Sequence, residues 1–274
     1  GFEVELASAI ARELGVRPKF VQQDWSNLIP SLERGSFDVA LNGIEVTPER
    51  VDRVQMTRPY FIFSAQLVAR RDDPRTTNLA ALRGHRVGTL ASSFSYDVLR
   101  EVGNMTIVPY EGNEEPYADL ENGRIDGVLL DDIIVARYGT VRPTLHVVED
   151  VREGFYSAAC RTADHDLCHA IDEALTRIAR SGELTRILAR WEIDNARQRR
   201  LASWSEADTR AMLSVHDRTT FGWHHFVLFL RGAGVTLAVS TASMVLAVVF
   251  GLLLALARMY GPRPVSLFAN AYVE

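Results

Sequence analysis

The hydropathy of the chain changes abruptly near residue 232. Before that point apolar and polar residues are mixed, whereas residues 235–257 form a run of 23 residues without a charged side chain, bounded by Arg231 and Arg258. A helix of this length is about 35 Å long, enough to cross the hydrocarbon core of a bilayer with some tilt. The pattern predicts one transmembrane helix. The alternative, a buried helix of a soluble protein, is disfavoured by the length of the run.

Residues 1 to about 200 show helical and strand patterns in alternation. Apolar residues three or four positions apart mark helix faces, such as Leu6, Ile10 and Leu14 before the terminating Gly15. Short apolar runs between turn residues mark strands. Helices are predicted near residues 6–14, 28–34, 95–102, 114–122, 166–181 and 184–193, and strands at 19–22, 38–41, 66–70, 86–90, 106–109, 125–130, 145–148 and 155–159. The alternation predicts an α/β domain.

Two segments connect the α/β domain to the apolar run. Residues 201 to about 220 are polar and are predicted as a partly helical linker. Residues 221–231 include Trp223, Phe226 and Phe229, and such aromatic amphipathic stretches favour the membrane interface. The expected organisation is a soluble domain at 1–200, a linker with an interfacial segment at 201–232, and a membrane segment at 233–274.

Composition and charge narrow the classes of function. The chain is 47% hydrophobic and 24% charged, which is typical of a folded protein. Its net charge of -5 offers no basic surface for nucleic acid, so no nucleic-acid partner is expected. No signal-peptide pattern precedes Gly1, and the sequence stops at Glu274 without a polar tail, so we expect a piece of a longer protein.

Charged and polar residues follow three of the predicted strands. They are Asn42, Gly43, Glu45, Thr47 and Arg50 after the strand at 38–41, Ser92, Ser93 and Ser95 after that at 86–90, and Asp131 after that at 125–130. Ligands of open α/β sheets bind beyond the carboxyl ends of strands. An Arg can hold a carboxylate and an acid can accept from an ammonium group, so the set suits a zwitterion. Spacing alone leaves open that Arg50 is a solvated helix residue and that Asp131 caps a helix.

Motifs of the common enzyme classes are absent from the sequence. It has no Gly-x-Ser-x-Gly, no phosphate-binding loop, no metal-binding His pair on a helix and no dinucleotide fingerprint. Gly84 and Gly88 lie before and within a predicted strand, the wrong context for a dinucleotide site. We therefore expect no catalytic residue, cofactor or metal ion.

The chain has two cysteines, Cys160 and Cys168, eight positions apart. They are interpreted as unpaired structural cysteines. Two alternatives stay open: a disulfide between them, and a metal site completed by His165 and His169, although this spacing matches no known ligand signature.

Six runs within the first 131 residues form a recognisable family pattern. They read Gly1-Phe-Glu-Val-Glu-Leu-Ala, Asp24-Trp-Ser-Asn-Leu-Ile-Pro-Ser-Leu, Gly35-Ser-Phe-Asp-Val-Ala-Leu-Asn-Gly-Ile-Glu-Val-Thr-Pro-Glu-Arg, Pro59-Tyr-Phe, Leu82-Arg-Gly-His-Arg-Val-Gly and Leu120-Glu-Asn-Gly-Arg-Ile-Asp-Gly-Val-Leu-Leu-Asp. Together they resemble the polar amino-acid-binding proteins of bacterial ABC importers. The resemblance covers nearly all of residues 1–195, and the Thr-Pro-Glu-Arg run in this context is specific.

The resemblance implies a fold: a two-lobed, periplasmic-binding-protein-like clamp of type II, followed here by a linker and one transmembrane helix. Lobe 1 would comprise residues 1–68 and 156–200, and lobe 2 residues 72–152, with the ligand between them. The first strand of the family should precede Gly1, so this N-terminal strand of lobe 1 is expected to be missing from the sequence.

The matching positions imply an amino-acid ligand. Arg50 would bind its α-carboxylate, Asp131 its α-amino group, and Trp25 would stack on its side chain. The remaining cleft residues would be Asn42, Gly43, Glu45, Ser93 and Phe94. Glu45 departs from the family, which often has a small hydroxyl residue there, and Ser92-Ser93-Phe94 stands where many members have Gly-Thr-Thr or Gly-Ser-Thr. Glu45 is expected either to pair with Arg50 or to face a cationic group of the ligand.

The apolar region carries a second resemblance. Gly234-Val-Thr-Leu-Ala-Val-Ser, Gly251-Leu-Leu-Leu-Ala-Leu-Ala-Arg and Ala271-Tyr-Val-Glu are similar to the start of the permease family of these importers. Fused binding-protein and permease polypeptides exist in this family. The resemblance implies an inner-membrane protein with an extracytoplasmic binding domain, which delivers its amino acid to the fused permease, and a permease portion that contacts an ABC ATPase subunit. Arg258 and Arg263 would then lie inside the cell.

Three other functions use the same clamp. In a ligand-gated channel the membrane segments interrupt the lobes, whereas here both lobes precede the apolar run. A clamp-fold periplasmic enzyme does not fit a permease-like helix. In a membrane-tethered sensor a cytoplasmic kinase would follow the span, so the sequence after Glu274 would distinguish a sensor from an importer.

Overall fold

The computed structural model describes residues 1–214, 223–260 and 262. The chain divides into two units, residues 1–216 and 217–274. Parts of the predicted linker and interfacial segment, at 215–222, lie outside the described residues. So does most of the segment after the apolar run, including Arg263 and the Ala271-Tyr-Val-Glu run.

The first unit is an α/β structure, as the alternating pattern predicts. Its helices are α1 (Phe2–Glu13), α2 (Leu28–Glu33), α3 (Pro48–Arg53), α4 (Phe94–Val102), α5 (Glu115–Glu121), α6 (Asp132–Ile134), α7 (His165–Arg180), α8 (Glu183–Arg190) and α9 (Glu206–Ser214). Its strands are β1 (Val39–Ala40), β2 (Gln55–Arg70), β3 (Arg86–Leu90), β4 (Thr106–Tyr110), β5 (Gly127–Asp131) and β6 (Leu145–Cys160). Short 3-10 turns lie at Trp25–Asn27, Leu79–Leu82 and Gln198–Ser203.

The strands form one mixed sheet in the order β1-β6-β2-β5-β3-β4. The two long strands β2 and β6 pair antiparallel from Gln55 opposite Cys160 to Arg70 opposite Leu145. Strand β3 pairs parallel with β4 and β5, and β5 pairs antiparallel with β2. The long pair therefore lies inside the sheet, with β1 on one side and β5, β3 and β4 on the other.

The apolar residues divide around this long pair into separate cores. Phe61 and Phe63 of β2 pack with α1, α7 and α8 in one core. Further along the same strand, Leu67 and Val68 pack with residues of β3, β5, α4 and α5. Helices α2 and α3 and strand β1 pack at the same end of the long pair as the first core, around Met56 and Ala159. We call the half with α1, α2 and the turn before it, α3, α7 and α8 the first lobe, and the half with α4, α5 and β3 to β5 the second lobe. Strands β2 and β6 contribute to both, so they connect the lobes.

The structure corrects three of the predicted strands, and a fourth, at 66–70, is only the end of β2. The strands predicted at 145–148 and 155–159 are parts of one strand, β6. The strand predicted at 19–22 is wrong, because these residues form no regular element and Phe20 and Val21 are exposed. No strand pairs with this segment within residues 1–214, so its backbone has no ladder to join.

The second unit contains the helix α10 (Trp223–Tyr260). Its segment Gly232–Leu256 is 25 residues long with a mean hydropathy of 2.4, which is long and apolar enough to cross a membrane. Apolar side chains such as Leu237, Val248 and Leu252 are exposed along it.

Candidate functional site

Helix α3 places Arg50 at the interface of the two lobes. The helix begins after Thr47, whose hydroxyl accepts from the Arg50 backbone N–H at 3.4 Å, and Pro48 occupies its first turn. The Arg50 side chain points inward and the residue is 8% exposed. Its Nη1 donates to the carboxylate of Glu45 at 2.8 Å and to the Glu45 carbonyl at 2.9 Å. Its Nη2 donates at 2.9 Å to the carbonyl of Ser92, which belongs to the second lobe.

Glu45 is a buried acid held by the guanidinium of Arg50. It is 3% exposed, and its carboxylate also accepts from the backbone N–H of Phe94. Burial raises the pKa of Glu45, and the charge of Arg50 opposes that rise. One of the two expectations for Glu45, the ion pair with Arg50, is therefore present.

Asp131 ends β5, where that strand lies beside Ala65 of β2. It is 3% exposed, and its Oδ2 accepts from the hydroxyl of Tyr156. Its Oδ1 is buried and has no hydrogen-bond partner among the described residues. Burial raises the pKa of Asp131 well above its usual range, and the nearby charge of Glu45 raises it further. The free oxygen is an acceptor that a cation could satisfy.

Trp25 covers the site from the first lobe. Its ring lies 5.0 Å from the guanidinium carbon of Arg50, in the geometry of a cation–π contact. Its Nε1 donates to the carbonyl of Ala91 in the second lobe at 3.1 Å. Together with the bond from Arg50 to Ser92, this contact joins the lobes across the cleft. Ser92 adopts the left-handed conformation, with a φ of 52°.

The loop at Asn42 and Gly43 is held by contacts with Glu3 and Tyr156. The Gly43 backbone N–H donates to the carboxylate of Glu3 at 2.5 Å, and the hydroxyl of Tyr60 donates to the same oxygen at 2.5 Å. Gly43 has a φ of +60°, and a Cβ there would meet the ring of Tyr156 at 3.5 Å. Asn42 is half-buried. Glycine is thus suited to this position by its conformation, whereas a Cβ at 3.5 Å from the ring would be in ordinary contact.

The other predicted residues, Ser93 and Phe94, lie at the start of α4. The hydroxyl of Ser93 accepts from the Tyr96 backbone N–H at 3.1 Å and donates to the Leu90 carbonyl at 2.8 Å, so it caps the helix. The ring of Phe94 packs edge-on against Phe63, with centroids 5.3 Å apart. Ser93 therefore holds the loop in shape, while the Phe94 backbone N–H reaches Glu45.

The structure thus brings Trp25, Glu45, Arg50 and Asp131 together, with the loops of Gly43 and Ser93 beside them. Sequence reasoning missed three residues of the same region: Glu3, Tyr60 and Tyr156. Glu3 lies in the first family run and Tyr60 in the Pro59-Tyr-Phe run, so both positions carried a signal. Tyr156 is marked only by its place in a predicted strand.

The arrangement matches what an α-amino acid presents. The buried guanidinium of Arg50 holds Glu45 and lies against the ring of Trp25, and the buried carboxylate of Asp131 has a free oxygen. A carboxylate and an ammonium group on one small molecule would complement both charges. Among residues 1–214, 223–260 and 262 no cluster of three or more His, Cys, Asp or Glu side chains is placed to hold a metal ion.

Comparison with known proteins gives the same family as the motifs. The chain is 31% identical over 201 residues to the ABC transporter arginine-binding protein 1 of Escherichia coli K12, covering 70% of this chain and 81% of that protein. An ancestral arginine-binding protein bound to arginine superimposes with a TM-score of 0.66 at 28% identity, covering 70% of this chain and 87% of the other.

A second solved structure shows a wider use of the fold. The ancestral amino-acid-binding protein AncCDT-1, a precursor of cyclohexadienyl dehydratase, superimposes with a TM-score of 0.64 at 26% identity, covering 70% of this chain and 85% of that chain. The predicted two-lobed clamp of type II is confirmed. Residues 1–194 match the family described as bacterial extracellular solute-binding proteins, family 3, and the chain belongs to that family.

Proposed function

We propose that the first unit binds an amino acid between its lobes and releases it unchanged. Arg50 binds the α-carboxylate and Asp131 the α-ammonium group, while Trp25 covers the ligand side chain. The observation that supports this best is the free Oδ1 of Asp131. A buried carboxylate oxygen without a partner is unfavourable, and an ammonium donor would satisfy it.

Binding requires Arg50 to exchange partners. Its guanidinium is held by Glu45 and by the Ser92 carbonyl. A ligand carboxylate forms a stronger, charge-assisted bond than a carbonyl does, so it displaces Ser92 first. Glu45 is then free to turn towards a cationic part of the ligand.

The charges of the site favour particular ligands. The carboxylates of Glu45 and Asp131 face the guanidinium of Arg50, which leaves an excess of one negative charge when both acids are ionised. We therefore propose a basic or polar amino acid in preference to glutamate or aspartate. The similarity to arginine-binding proteins supports a basic ligand.

Calorimetry of the detergent-solubilised chain against the twenty amino acids tests the binding site. Arg50→Ala should weaken binding by about 2–5 kcal/mol, because a buried ligand carboxylate loses its partner. Arg53→Ala is the matched control, since Arg53 lies on the same helix but pairs at the surface with Glu33. Full affinity in the Arg50 variant would refute the site.

The same samples test whether the clamp is an enzyme. The bound amino acid should be recovered unchanged after prolonged incubation, as judged by mass spectrometry. Conversion of the ligand, with loss of that conversion in Asp131→Asn, would instead favour a clamp-fold enzyme.

We further propose that α10 is the first membrane helix of a fused permease, which receives the amino acid and contacts an ABC ATPase subunit. The length and hydropathy of Gly232–Leu256 support a membrane span. The chain expressed in bacteria should remain in the membrane after carbonate washing, whereas a chain ending at Ser214 should be released. Release of both would contradict the span.

A further inference from the structure

A pair of cysteines lies outside the ligand site, at the end of one of the two long strands. Cys160 is the last residue of β6 and is 0% exposed. Cys168 lies in the first turn of α7 and is 6% exposed. Both belong to the same apolar core, and for each cysteine the neighbouring thiol is the largest influence on its pKa. The thiols are therefore neighbours in the folded chain.

The segment between the cysteines is fixed by its own contacts. The guanidinium of Arg161 donates to the Phe37 carbonyl at 2.9 Å and to the Asp38 carboxylate at 3.1 Å, and it pairs with Asp164 at 2.6 Å. The backbone N–H of Asp164 donates to the Arg161 carbonyl at 3.0 Å, and that of Cys168 donates to the Asp164 carbonyl at 3.0 Å. The turn thus holds the two thiols together without any covalent bond between them.

The neighbouring histidines do not complete a metal site. His165 is engaged by the side-chain amide of Gln55, and His169 is exposed beside Glu173 on α7 at 3.5 Å. Within the part of the chain that the structure describes, no three or more His, Cys, Asp or Glu side chains are placed to hold a metal ion here. Cys160 and Cys168 are therefore two neighbouring free thiols in an apolar core.

We propose that Cys160 and Cys168 form an intramolecular disulfide when the first unit folds outside the cytoplasm. The family is extracellular, and disulfides persist in oxidising compartments.

The oxidant is a disulfide outside this chain, either a disulfide compound of low molecular weight or a disulfide of a thiol oxidase. The Cys168 thiolate attacks one of its sulfurs, forms a mixed disulfide and releases one thiolate. The Cys160 sulfur then attacks Cys168, its proton passing to solvent, and releases the second thiolate. The two protein thiols are oxidised, and the external disulfide is reduced to two thiols. Because both cysteines are buried, the exchange occurs during folding.

Such a bond would tie the end of β6 to the first turn of α7. It closes a short loop in the first lobe, which restricts the unfolded chain and stabilises the fold. The ligand cleft lies elsewhere, so we expect no change in the amino acid bound.

Peptide mapping without reductant tests the proposal. It uses the full chain, exported so that its first unit lies in an oxidising compartment. After denaturation and alkylation, we expect a linked peptide containing Cys160 and Cys168, lighter than the reduced pair by two hydrogen atoms, and no alkylated cysteine. Reduction should lower the melting temperature by about 5–10 °C, as expected for a short closed loop in a domain of this size.

Single variants supply the controls. Cys168→Ser should leave Cys160 open to alkylation and should remove the effect of reductant on melting. Because the mapping is read on the parent chain, a folding defect in a variant does not affect it. Alkylation of both cysteines in the secreted parent chain, or links only between different chains, would overturn the proposal.

Discussion

At the scale of single residues, Glu45 changes the chemistry of the site. It brings a second carboxylate near Asp131, and burial together with mutual repulsion raises the pKa of Asp131 well above its usual range. Arg50 compensates one negative charge through its contact with Glu45. The site therefore favours retaining a proton on Asp131, and a ligand ammonium group would take the place of that proton.

Glu45→Gln tests which part of the ligand Glu45 recognises. The change keeps the size of the side chain and removes its charge. Arginine affinity should fall by about tenfold or more, because a charge-assisted hydrogen bond contributes about 1.5–3 kcal/mol, and glutamine and glutamate should lose less. Calorimetry with these three ligands measures it. Equal losses would point to the shared ammonium group, and no loss would leave Glu45 as a partner of Arg50 alone.

The raised pKa of Asp131 predicts how the stability of the empty chain depends on pH. The folded state binds a proton more tightly than the unfolded state, so stability should fall as pH rises above the ordinary aspartate pKa of about 4. Asp131→Asn should remove this part of the slope. Thermal melting of both chains without ligand, taken as a difference at each pH, measures it. Parallel curves across that range would contradict a raised pKa.

At the scale of elements, the sequence predicted β3 and α7 well but missed α3 and the first eleven residues of β2. The predicted strand at 86–90 has the observed bounds, and α7 begins and ends within one residue of its prediction. Local patterns succeed there because each element buries one continuous face. They failed at 19–22. Whether such an apolar segment forms a strand depends on a partner strand from elsewhere in the chain.

The site was predictable only in part, for the same reason. Arg50, Asp131 and Trp25 lie in runs that resemble the family, so their positions could be identified. Tyr156 contacts Asp131 across 25 positions of sequence, and Glu3 contacts Gly43 across 40. Such contacts follow from the pairing of β2 with β6 and from the packing of α1, and no local pattern encodes them.

The close packing of β6 on β2 can be tested at Gly154. This glycine pairs with Phe63, and a Cβ added to it would meet ring atoms of Phe63 at 2.7 and 2.8 Å. Gly154→Ala should destabilise the fold by about 1–3 kcal/mol, because the aromatic ring has to move within a packed core. Urea unfolding measures the change.

Gly112→Ala is the matched control for that substitution. A Cβ at Gly112 would also lie close to another residue, but the neighbour is the end of the flexible Glu115 side chain. The control should change the free energy of unfolding by less than about 0.5 kcal/mol. Equal losses in the two variants would show that the Phe63 ring is not tightly held.

At the scale of the whole molecule, the chain combines a binding domain with a long apolar helix. The first unit should face the extracytoplasmic side and Arg258 the inside of the cell. The distribution of positive charge gives this orientation only slight support, because Arg231 lies at the opposite end of the apolar run from Arg258. Family membership is the stronger argument. Protease added to spheroplasts should digest the first unit, and a protected first unit would contradict this orientation.

The two bonds across the cleft, from Trp25 to Ala91 and from Arg50 to Ser92, have a kinetic consequence. A ligand cannot enter while they hold, so association has to wait for a spontaneous opening of the lobes. The observed rate should rise with ligand concentration and then level off at the opening rate, on the microsecond to millisecond scale of such motions. Rapid mixing followed by tryptophan fluorescence measures it. A rate that stays linear to the highest concentration would mean that the clamp stands open in solution.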